Sequence, residues 1–491
     1  MAPRLNFRKL FFCAVAAALL SACASAPRRV PIALPEEADS YVWSVYETSK
    51  DSGRRIAEIP PPGHARELDE STLIEVFPER TRQEIMGFGG ALTESSAWVL
   101  AQLPAGLKAE VLRGYFDPEE GLRYSLCRTH IGSCDFSLST WSLDDSPGDF
   151  VLERFSLEPM RRWLLPLIHE ANAASGGKLR IVAAPWSPPA WMKTNGTMRF
   201  GGKLRPECRE AWAGYLARFA TAMRDEEGLP IWALSVQNEP TSFTVWESCN
   251  FTSAEEGKFL SMNLGPAFSA AGLGGVRFLV WDFGRGGMMD WASPLFGDPE
   301  VSKYAWGTAF HWYGAPALDE PAKLHAAFPD KPLVFTEGSV ERMAMPGRWD
   351  RGEIYARNMI SDFRNYTSAW IDWNIALDRF GGPNHVGNLC DAPVLVDLAS
   401  KRVIYQSSYY YIGQFSRFVD EGAFCVASEP SCPGLESVSF VNPDGVLVTV
   451  VLNRTGAARE FCLRVSGSRT ETRACSIPAH AIQTYVARPS P

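Results

Sequence analysis

Two glutamates each close a short apolar segment: Glu239 in the run SVQNEP (235–240) and Glu337 in the run FTEGS (335–339). Paired carboxylates at strand ends are what hydrolysis of a glycosidic bond requires. One acid protonates the leaving oxygen, and the other, ionised, attacks the anomeric carbon. A barrel enzyme places such groups at the C-terminal ends of its strands, where they converge on one face. Either glutamate alone reads equally well as a surface or salt-bridged residue. Together, on strands four and seven of one barrel, they are expected within about 5 Å of each other, the separation that retention of configuration needs.

The elements that must position them form a regular series. Strand patterns fall at 83–91, 123–131, 179–185, 231–237, 276–282, 305–311, 332–336 and 368–374, with amphipathic segments between them. In 208–226, for example, Trp212, Leu216, Phe219 and Met223 recur at helical spacing. Eight such units imply an α/β fold, a (β/α)8 TIM barrel over 79–400 with its last helix at 401–420. An open doubly wound sheet would show fewer strands and a glycine-rich phosphate turn. The two ends read differently. Residues 421–491 alternate and carry hairpin turns such as Asn442-Pro443-Asp444-Gly445, and 41–78 has similar character. The N- and C-terminal strands are therefore expected to combine into one accessory β-sandwich.

The 491 residues are 46% hydrophobic and 21% charged, an ordinary globular balance with material for a large core. Arg4, Arg8 and Lys9 precede an apolar run ending in Leu20-Ser21-Ala22-Cys23, which reads as an export signal over 1–22. The ending resembles the bacterial lipobox, so Cys23 is expected to carry lipid and to anchor the chain to a membrane. Ala24 at the next position points to the outer membrane. Without lipidation, the product is periplasmic or secreted. Residues 23–40, with Pro27, Pro31 and Pro35, make a tether. The formal charge of −8 becomes about −11 once 1–22, with three basic and no acidic residues, is removed. Nucleic acid is thus excluded as a partner. Nine cysteines remain besides Cys13 and Cys23, with Cys425–Cys432 and Cys462–Cys475 as candidate bridges and at least one thiol left free. No CxxC pair or Cys/His cluster marks a metal site, and neither metal nor organic cofactor is expected.

Beyond these signals, MGFGGALTES (86–95), CRTHIGSCDFS (127–137), PWSPPAWMKTNG (185–196), SVQNEP, FHWY (310–313), FTEGS and IDWNIAL with GGPN (371–384) resemble glycoside hydrolase family 30, which includes the glucosylceramidases. The resemblance implies that Glu239 is the acid/base and Glu337 the nucleophile. It implies that Asn238 bonds the sugar 2-hydroxyl, and that Arg128 keeps Glu337 ionised. Tyr313 is expected to donate to the same carboxylate, with His311 beside it. Asp135 and Trp186 are implied to bind hydroxyls far from the scissile bond, with Trp373 and Asn388 as further contacts. Trp191 and Trp246 line the aglycone side or belong to the core, and Glu94 supports the barrel. The implied substrate is a β-glucoside, glucosylceramide among them. The alternatives are a β-1,6-glucan, a xylan, a β-xyloside or a β-fucoside, or, in another class, a non-catalytic carbohydrate-binding lipoprotein.

Overall fold

The computed structural model describes residues 32–33, 41–467 and 472–490. The signal segment and Cys23 lie outside the described residues, as does the tether apart from Ile32 and Ala33. Among the described residues no helix is long and apolar enough to cross a membrane.

Eight parallel strands close into a barrel in chain order. They are β1 (Gly87–Ala91), β2 (Leu126–Ile131), β3 (Arg180–Pro185), β4 (Ile231–Ser235), β5 (Arg277–Gly284), β6 (Ala305–His311), β7 (Leu333–Glu337) and β8 (Thr367–Asp372). Alternation along each strand sorts the side chains. Leu126, Val182, Ala233, Leu279, Ala309, Val334, Ala369 and Ile371 meet one another in the barrel interior. Their neighbours Cys127, Ile181, Leu234, Phe310 and Phe335 join the larger core under the helices. Trp212, Leu216, Phe219 and Met223 do line the buried face of the helix Arg209–Asp225. The interior stops at this apolar layer, and above it the same inward positions become Arg128, His311 and Thr336.

β1 is built from GFGGA because its backbone must come very close to β2. A Cβ at Gly89 would overlap the Leu126 carbonyl. Gly89→Ala is expected to cost about 2 kcal/mol or more through strand displacement, read as a lowered denaturant midpoint with unchanged slope.

A second sheet of nine strands runs Thr472–Ile477, Arg459–Val465, Leu73–Glu84, Phe424–Pro430, Leu435–Val441, Leu447–Asn453, Ala481–Pro489, Tyr41–Ser49 and Ala57–Ile59. Strands from both chain ends thus interleave, and the sheet curls around a core of its own with Trp43, Val45, Ile74, Val76, Val451 and Phe461. Leu73–Glu84 continues past the expected limit of 78, so Gln83 and Glu84 belong to this sheet and not to the first barrel strand. The segment expected as the last barrel helix opens with the strand Arg402–Tyr405 before the helix Ser407–Ser416.

The disulfide expectation fails. All nine described cysteines are free and buried. Cys425 packs toward the barrel, its thiol near the Phe363 carbonyl, whereas Cys432 joins the core inside the curled sheet. Cys462 pairs with Ala474 and Phe461 with Cys475 across their ladder. Alternation therefore turns Cys462 and Cys475 to opposite faces.

Candidate active site

The carboxylates converge as the strand ends dictate. Glu337 is the last residue of β7, and Asn238 and Glu239 follow β4 by a few residues. One oxygen of Glu239, one of Glu337 and a ring nitrogen of His311 all lie within 4.8 Å of one another. Glu239 holds a left-handed backbone, φ 46°, with its N–H donating to the Asp282 carbonyl at 3.0 Å. A non-glycine residue pays about 1–3 kcal/mol to stay there, and such strain is commonly stored at reacting groups.

Arg128, fully buried in β2, ties the site together. Its guanidinium donates to Glu337 Oε2 at 2.5 Å, to Asn238 Oδ1 at 2.7 Å and to Asp282 Oδ2 at 2.8 Å. Asp282 also accepts from Thr336 at 2.6 Å and faces His311 Nε2 at 3.1 Å. His311 Nδ1 faces Glu239 Oε1 at 3.2 Å, so both ring nitrogens face carboxyl groups, a setting that favours the doubly protonated ring. Burial works against that imidazolium, but Glu337, Asp282 and Glu239 outweigh it and lift His311 to about 9. Burial would likewise raise Asp282, yet Arg128, His311 and Thr336 hold it well below the carboxylate range. For Glu337, burial prevails in direction and lifts the carboxyl above its ordinary value, against the opposing cations His311 and Arg128. Ser242 donates to the second oxygen of Glu239 at 3.0 Å.

Glu239, His311 and Glu337 have the spacing of a cation site. The donor set does not fit one. An imidazolium has no lone pair to offer, and the Arg128 guanidinium already neutralises Glu337.

The far end of the cleft is polar and aromatic. Asp135 Oδ2 accepts from Asn388 at 3.0 Å and from Asn384 at 3.2 Å. Burial lifts Asp135 to about 7 despite these bonds. Trp186 and Trp373 stack with centroids 5.4 Å apart, and the Arg128 guanidinium sits 4.8 Å from the Trp186 ring. Asp135, Trp186, Asn238, Glu239, Tyr313, Glu337, Trp373 and Asn388 all line one cavity of about 170 Å³. His311 lies behind its wall, fully buried.

The structure revises the other expectations one by one. Tyr313 lines the cavity, but its hydroxyl accepts from the Ser339 N–H at 3.1 Å and makes no hydrogen bond to Glu337. Trp246 lines the cavity, whereas Trp191 lies outside it, bonded to the Asp144 carbonyl and packed on Phe150. Glu94 accepts from Trp141 Nε1 at 2.9 Å and Leu138 N at 3.2 Å, bracing the loop after β2. Asp282, Thr336, Asn384 and His385 were not anticipated. Asp282 ends the strand pattern 276–282 and so obeyed the strand-end rule, but plain alternation from Leu279 turns it outward. Left-handed Trp281 (φ 75°) and Asp282 (φ 47°), at a register shift against β6, reverse that alternation and swing the carboxylate inward.

The description "Glycosyl hydrolase family 30 TIM-barrel domain" matches residues 85–419, and "Glycosyl hydrolase family 30 beta sandwich domain" matches 422–485. The chain belongs to glycoside hydrolase family 30. The family-30 hydrolase is 34% identical to a lysosomal acid glucosylceramidase of Mus musculus over 478 residues, 93% of this chain and 91% of the relative. It is 28% identical to an endo-1,6-β-D-glucanase of Neurospora crassa over 468 residues, covering 90% and 94%. The crystal structure of SrfJ from Salmonella typhimurium superposes with TM-score 0.87 at 35% identity, covering 91% of this chain and all of that one.

Proposed function

We propose that this family-30 hydrolase is a retaining β-glucosidase of the glucosylceramidase kind, with Glu239 as acid/base and Glu337 as nucleophile. The observation that carries the reading is the approach of the two carboxylates. Oxygens within 4.8 Å fit the close pair of a retaining enzyme, about 5 Å apart, and fall short of the roughly 6.5–9.5 Å at which an inverting enzyme seats its water. The terminal sugar sits between Asp135 and Glu337, its hydroxyls taken by Asp135, Asn388 and the Trp186 and Trp373 indoles. Asn238 offers its amide N–H₂ to the 2-hydroxyl, since its oxygen is committed to Arg128. Tyr313 accepts from Ser339 and keeps its own proton to donate into the cavity.

In the first step a Glu337 oxygen bonds to the anomeric carbon while the bond to the leaving oxygen breaks and Glu239 gives that oxygen its proton. A glycosyl ester and a free alcohol result. In the second, Glu239 takes a proton from water, the water oxygen bonds to the anomeric carbon, and the ester bond breaks to return Glu337 ionised. Two inversions retain the β-configuration. Arg128 and His311 supply fixed positive charge that favours ionised Glu337 at both ends of the cycle.

Similarity to a glucosylceramidase over nearly the whole chain favours a glucoside, and similarity to an endo-1,6-β-D-glucanase favours β-1,6-glucan as the second reading. A panel of aryl β-glycosides, glucosylceramide and a linear β-1,6-glucan decides between them. Glucose release from the aryl glucoside and glucosylceramide is expected, and cleavage of the glucan alone defeats the first reading. We further propose export and lipidation at Cys23, supported by Arg4, Arg8, Lys9, the apolar run and Leu20-Ser21-Ala22-Cys23. Cys23→Ala then moves activity from the membrane fraction to the soluble one.

A further inference from the structure

We propose that His385 is a positioning residue for sugar binding, its imidazolium pinned between the Glu247 carboxylate and the Asp135 and Ser137 carbonyls so that Asn384 and Asn388 stay aimed at Asp135. Three loops meet at this ring, from the ends of β2, β4 and β8. His385 Nδ1 lies 3.1 Å from the Asp135 carbonyl and 3.3 Å from that of Ser137, and the His385 backbone N–H donates to the same Asp135 oxygen. Carbonyls only accept, so Nδ1 carries a proton. Nε2 lies 3.4 Å from Glu247 Oε1, an ion-pair contact without hydrogen-bond alignment, with the two side chains 6% and 0% exposed. A lone pair facing a buried carboxylate would repel it, so Nε2 carries a proton too. Glu247 is otherwise held by Ser133 Oγ at 2.8 Å, which in turn accepts the Trp141 N–H at 2.9 Å.

The clamp sits one residue from its payload. Asn384 precedes His385, and Asn384 Oδ1 accepts the N–H groups of Val386 and Asn388. The turn that carries both amides onto Asp135 is therefore fixed at its centre by the ring. Among the described residues, nothing in this cluster hydrogen-bonds to Glu239 or Glu337, so it acts on how the sugar is held and not on bond breaking.

The charged groups acting on the ring are Glu247 after β4 and Arg199 after β3, while Asp135 after β2 meets it through its backbone carbonyl. Burial lowers His385, but Glu247 outweighs it, with Arg199 opposing, and the net direction is upward. Glu247 shifts the opposite way, below its ordinary range, as an ion pair requires. The clamp is thus whole below the ordinary histidine value and released as pH rises through the raised one.

The inference rests on the proposed sugar site, and two readouts separate their fates. The first needs no sugar. His385→Gln removes the titrating charge and is expected to speed amide exchange in 381–391 about 10-fold relative to the barrel strands. The second uses phenyl 1-thio-β-D-glucoside, which neither ionises nor hydrolyses. Its inhibition constant is expected to rise about 10-fold in His385→Gln, while kcat on an aryl glucoside stays within about threefold. Glu247→Gln keeps the shape and removes the charge, so the pH above which wild-type binding weakens falls by about one unit. A purely structural pair would leave that midpoint unmoved. Exchange and inhibition within about twofold of wild type in both variants overturn the proposal. Exchange that responds in both, with no thioglucoside binding to wild type, upholds the clamp and rejects glucose as the sugar.

Discussion

Glu337→Ala lowers turnover of an aryl β-glycoside by about 10⁴- to 10⁶-fold, and azide restores it with release of an α-glycosyl azide. The loss is large because the oxygen that bonds to the anomeric carbon is gone. Asp282 is the other ionised acid at Arg128, but it accepts from Arg128, Thr336 and His311 and has no free oxygen to offer. Azide enters the space the side chain vacates, attacks from the nucleophile's face and inverts once. Glu239→Ala leaves the nucleophile in place. Its azide product is therefore β, and its defect shrinks as the leaving group becomes a better one, since a good leaving group needs no proton. A β-azide from the Glu337 variant and an α-azide from the Glu239 variant would exchange the two roles. Wild-type turnover in Glu337→Ala would end the double-displacement mechanism.

Asp282→Asn carries the second large effect, about 10²- to 10³-fold in kcat/KM, although residue 282 contacts no sugar. An amide has one accepting oxygen where the carboxylate uses two, so its N–H₂ must face either Arg128 or His311, donor against donor. Whichever cation turns away also leaves its catalytic partner, Glu337 for Arg128 or Glu239 for His311. The pH dependence identifies the mechanism. His311 stands at about 9, and the Asp282 charge is one of the causes. Its removal lowers the His311 value toward the ordinary histidine one, near about 6.5, read from the pH titration of the imidazole by NMR. In wild type the folded value exceeds the unfolded one. The stabilisation is therefore complete below about pH 6.5 and is lost as pH rises through about 9. The difference in melting temperature between wild type and Asp282→Asn should narrow over that window. A His311 titration that stays in place, with kcat/KM within tenfold of wild type, would remove Asp282 from the assembly.

What the sequence made legible was whatever repeats along the chain. Eight strand patterns became eight barrel strands because each apolar run is bounded by turns, and both glutamates stood out as the charged ends of such runs. Asp282 stood at a strand end as well, but its inward direction depends on two left-handed residues at a register shift, which no period reveals. The disulfides failed for a related reason. Cys462 and Cys475 lie close along the chain and on neighbouring strands, yet one residue of register decides whether two thiols share a face. Tyr313 was placed in the right cavity with the wrong partner, because the Ser339 N–H that it accepts is set by the turn after β7.

The interleaved sheet has a consequence for how the molecule comes into being. Tyr41–Ser49 pairs along its whole length with Ala481–Pro489, from Tyr41 opposite Pro489 to Ser49 opposite Ala481. Leu73–Glu84 lies between two strands drawn from the C-terminal region. The earliest strands to be synthesised therefore wait, with bare edges, until the barrel and nearly the whole remaining chain have been made. Contacts this distant are slow to close, and unpaired edges invite association with other chains. Completion is tested by the last strand: a chain stopped before Ala481 leaves Tyr41–Ser49 beside only the three residues Ala57–Ile59.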